Sequence, residues 1–255
     1  MTRTFEEKKR VLELWSEGYN KLQIANMMGI PRTTVRDCIT QYSNVAQLEQ
    51  LALEDKLFSP KTRIYEAFDG ELQRTYAYLL GLYLGDGCLS PTRSTYKIRI
   101  TLDTRYPNII AGCVQAIQTI LPYNQVTPFK RKCNCVDVTC YSNEWPELFP
   151  QHGEGMKYRR KIQLEQWQQE IVDQYPLEFF KGLYHSDGTR SQNIVKGKDY
   201  RRYIFTNMSE DIRQMFIHAC ELLGLHWTTK TSKRDIMISR REDVAYLDSL
   251  IGPKS

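Results

Sequence analysis

Two aspartates carry the strongest chemical signal in this sequence. Asp86 closes the apolar segment Ala77-Tyr-Leu-Leu-Gly-Leu-Tyr-Leu-Gly-Asp-Gly87, and Asp187 closes Leu177-Glu-Phe-Phe-Lys-Gly-Leu-Tyr-His-Ser-Asp-Gly188. The order of types is the same in both: Gly-Leu-Tyr, one variable residue, a small residue, then Asp-Gly. The copies lie one domain-sized repeat apart, so the chain reads as a duplication. A helix C-terminus carries about half a negative charge, which disfavours a carboxylate there. Here the disfavoured choice is made twice. If the two helices pack together, both carboxylates converge at one end of the pair, where bound cations would offset the repulsion. An oxygen-only anionic site suits Mg²⁺, with Mn²⁺ as a substitute, and such ions can align a water and hold a phosphate oxygen.

The elements that must position these acids are visible as a stripe of small residues. Ala77, Gly81 and Gly85 recur every fourth position beside the bulk of Leu79, Leu80, Tyr83 and Leu84. A glycine inside a helix costs about 1 kcal/mol relative to alanine, so the pattern expects another backbone to come very close. Gly182 and Ser186 offer the matching face, giving a helix interface of Gly81, Gly85, Gly182 and Ser186. Gly87 and Gly188 are expected to act as left-handed helix caps.

Leu79 to Gly87 and Phe180 to Gly188 together resemble the two signature helices of the LAGLIDADG homing endonucleases, in the single-chain form that carries both copies. The resemblance covers roughly residues 72 to 252. It implies an α+β fold of two αββαββα-type repeats about a pseudo-two-fold axis. It further implies a monomeric, site-specific double-strand DNA endonuclease, with divalent ions held at Asp86 and Asp187 beside Gly85 and Ser186. Lys157, in the stretch Gly153-Glu-Gly-Met-Lys157-Tyr-Arg-Arg160, matches a family lysine that points at the metals. The corresponding segment of the second repeat is cut short to Ile251-Gly-Pro-Lys-Ser255, which argues against a second such lysine. His185 reads as a helix-interface group or as one that supports the site through a neighbour, rather than as a ligand. Two other readings share the fold: a catalytically inactive transcriptional regulator and an RNA maturase. Two intact acids favour the enzyme.

Ahead of these repeats, residues 1–45 have the spacing of a helix-turn-helix domain: Ile24-Ala25, then Gly29, then Val35 and Ile39. Arg32, Thr33, Thr34 and Arg36 then begin the third helix, where bases and phosphates would be contacted. Residues 46–71 read as a linker, 72–165 as the first repeat and 166–255 as the second. In the strand Ser94 to Asp103, Lys97, Arg99 and Thr101 alternate with apolar residues, as a sheet lying along duplex DNA requires. Lys130, Arg190, Lys196, Arg201, Lys230, Lys233 and Arg240 extend that expected surface.

Composition is compatible with all of this. The chain has 255 residues, of which 41% are hydrophobic and 25% charged, with a net charge of +5. These are globular proportions, so a disordered or collagenous chain is excluded. The longest apolar run, Ala77 to Leu84, is too short to span a bilayer. With no charged-then-apolar leader in view, an intracellular setting is expected, in cytoplasm or nucleoid, and it is compatible with a phage or organelle origin as with others. Seven cysteines at irregular spacing argue against a disulfide framework, and Cys133, Cys135 and Cys140 are expected as buried thiols.

Overall fold

A computed structural model describes residues 5–42, 44–49, 63–229 and 234–255. It divides into two compact units, Met1–Glu66 and Ala67–Ser255.

The first unit is helical, with α1 (Phe5–Ser16), α2 (Lys21–Met28) and α3 (Arg32–Gln41). Asn20 starts α2 through a reciprocal capping box with Gln23. Gly29, at φ 63°, ends the helix in the left-handed region that a tight turn before α3 requires. Val11, Leu12, Leu14, Ile24, Ala25, Val35 and Cys38 form the core. Trp15 is 41% exposed. Leu48 is buried in the same core, so the unit takes in part of the stretch read as a linker. Residues 50–62 of that stretch lie outside the described residues.

The second unit is a duplication. Its first half runs α4 (Gly70–Asp86), β1 (Gly87–Pro91), β2 (Tyr96–Asp103), α5 (Pro107–Ile120), β3 (Val126–Lys130), β4 (Cys135–Ser142) and a short α6 (Trp145–Leu148). After α7 (Gln166–Gln174) the second half runs α8 (Pro176–Asp187), β5 (Gly188–Ser191), a small ribbon of β6 (Ile194–Val195) and β7 (Lys198–Asp199), then β8 (Arg202–Thr206), α9 (Glu210–Leu222), β9 (Trp227–Thr229), β10 (Asp235–Ile238) and α10 (Arg241–Leu250). The two antiparallel four-stranded sheets have equivalent orders, β1-β2-β4-β3 and β5-β8-β10-β9. This is an α+β fold of two equivalent halves.

Register shows how closely the copies match. Thr101 sits opposite Asp137 and donates to it at 2.8 Å, while Thr206 sits opposite Asp235 and donates to it at the same distance. One face of each sheet is apolar and packs on helices: Ile98, Ile100, Leu102 and Val138 in the first half, Tyr203, Phe205, Ile236 and Ile238 in the second.

The helices α4 and α8 meet backbone to backbone. A Cβ on Gly81 would lie 2.6 Å from the Phe179 carbonyl oxygen and 2.8 Å from Gly182 Cα, distances no side chain tolerates. The glycine stripe therefore does what its cost suggested. Gly87 and Gly188 correct an expectation, because both are extended (φ −85° and −87°) rather than left-handed. Their reason is space. The chain passes from helix straight into strand over its own last turn, and a Cβ would meet the Tyr83 carbonyl at 2.6 Å or the Tyr184 carbonyl at 2.5 Å.

Candidate active site

Because α4 and α8 cross at their glycines and each ends on its acid, both carboxylates arrive at one place. Asp86 and Asp187 line the same cleft of about 510 Å³, with Lys157, Asn207 and Thr206. Asp86 also lines a cleft of about 300 Å³ with Lys254, Ser186 and His185. A Cβ on Gly85 would lie 2.9 Å from Asp187 Oδ2, so that glycine lets the second acid close on the first helix end.

The electrostatics are those of an anionic site that its neighbouring cations compensate only in part. Burial, then the neighbouring Asp187 charge, pushes the Asp86 carboxyl up to about 6 against the pull of Lys254 and Lys157. Asp187 is also raised by burial, although Asn207 Nδ2 donates to its Oδ2 at 2.6 Å.

Each acid has a lysine seated on its own helix end. Lys157 Nζ donates to the Leu84 carbonyl at 2.9 Å, to the Gly85 carbonyl at 3.4 Å and to the Tyr83 carbonyl, and lies 4.8 Å from the Tyr83 ring centre. Lys254 Nζ donates to the Ser186 carbonyl at 3.0 Å and lies 5.7 Å from the Tyr184 ring centre. Burial lowers both ammonium groups to about 8. The second lysine, which the short second tail argued against, is therefore present. Its signal was in the sequence: Gly155-Met-Lys157 and Gly252-Pro-Lys254 share a spacing, and both glycines have positive φ, 78° and 69°.

The other expected residues divide. Lys97, Arg99 and Thr101 share the outward face of the first sheet; Lys97 lies 5.5 Å from the Tyr141 ring and Thr101 is bonded to Asp137. Lys130 is exposed at the sheet edge, paired with Val136 and so on the opposite side from that trio. Arg190 is a correction. It faces inward, its guanidinium bound to Asp248 at 2.7 and 2.6 Å beside the Tyr203 hydroxyl, and serves as a structural ion pair. Lys196 is exposed in the ribbon turn, Arg201 pairs with Asp199 at 2.7 Å, and Arg240 lies on the His226 ring. Lys230 and Lys233 lie outside the described residues. Arg32 and Thr33 are exposed and Thr34 half-buried at the start of α3; Arg36 is exposed and pairs with Asp37. His185 is held neutral, down to about 3 by burial, and its Nδ1 meets the Tyr78 hydroxyl of α4 at 3.0 Å. Cys133 is exposed rather than buried, and the seven cysteines are free.

No protein-family model and no curated protein matches the chain. Among solved structures it is similar to a mesophilic-variant structure of the homing endonuclease I-DmoI, at 16% identity over 71% of this chain and 96% of that one, with a TM-score of 0.49. A structure of I-DmoI in complex with DNA and Mn matches at 16% over 71% and 97%, TM-score 0.49. Full-length DUF199/WhiA from Thermotoga maritima matches at 13% over 75% of this chain and 59% of that one, TM-score 0.48. These are likenesses of fold.

Proposed function

We propose that the second unit is a divalent-metal-dependent, site-specific double-strand DNA endonuclease, and that the first unit is a helix-turn-helix module adding contacts to the same duplex. One observation carries the reading: two half-buried carboxylates, each at a helix C-terminus, each with a lysine on the adjoining carbonyls, in two copies of one fold. A fold gains nothing in stability from this placement, so a chemical role is the better account.

The residues fit a hard divalent cation. Their donors are all oxygen, from Asp86, Asp187 and the carbonyls of Gly85 and Ser186, and the carbonyls already attract ammonium groups. When bound, such ions polarise the phosphate and lower the pKa of water. The chain does the rest. Asp86 and Asp187 would place positive charge at the scissile phosphates, one acid mainly for each strand. Lys157 and Lys254 would stabilise charge on the phosphoryl oxygens or orient the attacking water. Asn207 holds the Asp187 carboxylate in one orientation. Lys97, Arg99 and Thr101 would neutralise backbone charge and meet base edges.

The test is recovery of duplexes bound from a random pool, followed by incubation with and without Mg²⁺. Double-strand breaks that need the metal and vanish with Asp86→Asn and Asp187→Asn support the proposal. A tightly bound duplex left whole in both Mg²⁺ and Mn²⁺ overturns it in favour of a regulator.

A further inference from the structure

The duplication is faithful in register but not in the chemistry of its outward sheet faces. The row nearest each acid begins on the second residue after it, because Gly87 and Gly188 open β1 and β5. In the first repeat this row reads Cys88, Arg99, Thr139, Thr127 across four strands. In the second it reads Thr189, Ile204, Met237, Thr228. The rows are equivalent, since each lies next to the Thr–Asp pair, Thr101–Asp137 in one and Thr206–Asp235 in the other. So at matching positions a cation and a hydroxyl face an aliphatic pair.

Arg99 is exposed and makes no ion pair among the described residues. Ile204 and Met237 are half-buried while their strand neighbours Tyr203, Phe205, Ile236 and Ile238 are buried, so the pair belongs to the outer face and not to the core. Thr189 and Thr228 flank it, both exposed. This row has no free donor at its centre with which to claim a guanine. It has apolar surface bordered by threonine methyls.

We propose that the two repeats read their half-sites by different chemistry: the first claims a guanine edge through Arg99, and the second packs Ile204 and Met237 on thymine 5-methyl groups in the major groove. The inference rests on the DNA reading above. Arginine is suited to the paired O6 and N7 acceptors of guanine, whereas the thymine methyl is the one apolar group on a major-groove base edge. An aliphatic pair in the cross-strand row that starts two residues after Asp187, where the sister repeat has arginine, fits the second kind of contact. The target is then asymmetric in composition, with thymine near the cut on the side of the second repeat.

The experiment uses the full chain and its own selected duplexes. Arg99→Ala marks one half of the site, where guanine preference should fall by roughly five- to 150-fold. In the other half, replacing each thymine by deoxyuridine removes only the methyl and should weaken binding by roughly four-fold per methyl contacted. The same replacement beside the Arg99 half should have no effect. The row exchange Ile204→Arg with Met237→Thr should convert the thymine preference to guanine in that half alone. Deoxyuridine tolerated in both halves, or a guanine-rich second half, overturns this inference and leaves sequence-specific binding intact. A chain that selects no duplex at all overturns the DNA reading and this inference with it.

Discussion

Asp86→Asn should make the metal-free protein more stable, and the size of the gain follows from the environment of the carboxyl. Raising it from the ordinary 3.8 to about 6 corresponds to about 3 kcal/mol at 1.36 kcal/mol per pH unit. The folded-state value is the higher one. The protonated acid therefore contributes stability that is complete below pH 3.8 and lost as pH rises through about 6. At pH 7.5 the ionised side chain carries the full cost, and asparagine, similar in shape and uncharged, escapes it. At pH 4.5 the advantage should shrink to about 1 kcal/mol, since both states are then partly protonated. Thermal unfolding in a chelator at the two pH values reads this directly. For a domain of this size the difference at pH 7.5 corresponds to about 6–12 °C in midpoint. Adding Mg²⁺ should raise the parent midpoint and leave the Asp86→Asn, Asp187→Asn double variant unmoved, because only a folded site binds the ion. A variant less stable than its parent at pH 7.5 would refute the account of a carboxylate whose desolvation outweighs its lysines.

Gly81→Ala should destabilise the second unit by about 1–3 kcal/mol or more in denaturant unfolding, because its Cβ would lie 2.6 Å from the Phe179 carbonyl. Gly112→Ala in α5 is the control: its Cβ would have ordinary room, 3.4 Å from the Tyr78 hydroxyl, and about 0.5–1 kcal/mol of gain is expected. Lys254→Met and Lys157→Met should each slow one strand's cleavage, so that nicked plasmid accumulates; full double-strand cutting by either variant would remove the lysines from the chemistry. Arg190→Ala should cost about 1–3 kcal/mol of stability and leave the salt slope of DNA binding unchanged, since its partner is Asp248 and not phosphate. Arg32→Ala with Arg36→Ala should lower that slope by about one unit per lost contact without altering cleavage at saturating protein.

The sequence made the acids and their glycines legible because both break local rules: a carboxylate at a negative helix end and glycine inside a helix. Such violations are read without knowing the fold. What escaped was phase. Arg190 was placed on an outward surface because nothing in Thr189-Arg-Ser says which residue opens the strand; once Gly188 opens it, Thr189 faces out and Arg190 in. β1 is implied by the αββαββα resemblance but not visible in its own residues, since Gly-Cys-Leu-Ser-Pro has too few apolar residues to show alternation. The caps at Gly87 and Gly188 were misread for a similar reason: crowding by Tyr83 and Tyr184 selects glycine as strongly as left-handed geometry does, and composition alone does not separate the two. Lys254 escapes the sequence reading because its segment is short; the spacing Gly252-Pro-Lys254, shared with Gly155-Met-Lys157, is the signal it carries.

The contact of Gly81 with Gly182 has a consequence for ancestry and for engineering. At that point the two copies meet through backbone, but around it each contributes different side chains: Tyr78 of the first meets His185 of the second, and Arg74 pairs with Glu178. The peptide between the copies then supplies local concentration rather than recognition. A chain opened between Lys161 and Gln166 keeps Lys157 with the first copy and Lys254 with the second, and the halves retain everything needed to reassemble. Ser186 fills the space that Gly85 leaves open, so the unlike halves fit each other better than either fits its own twin, and the asymmetric reader is the assembly they re-form.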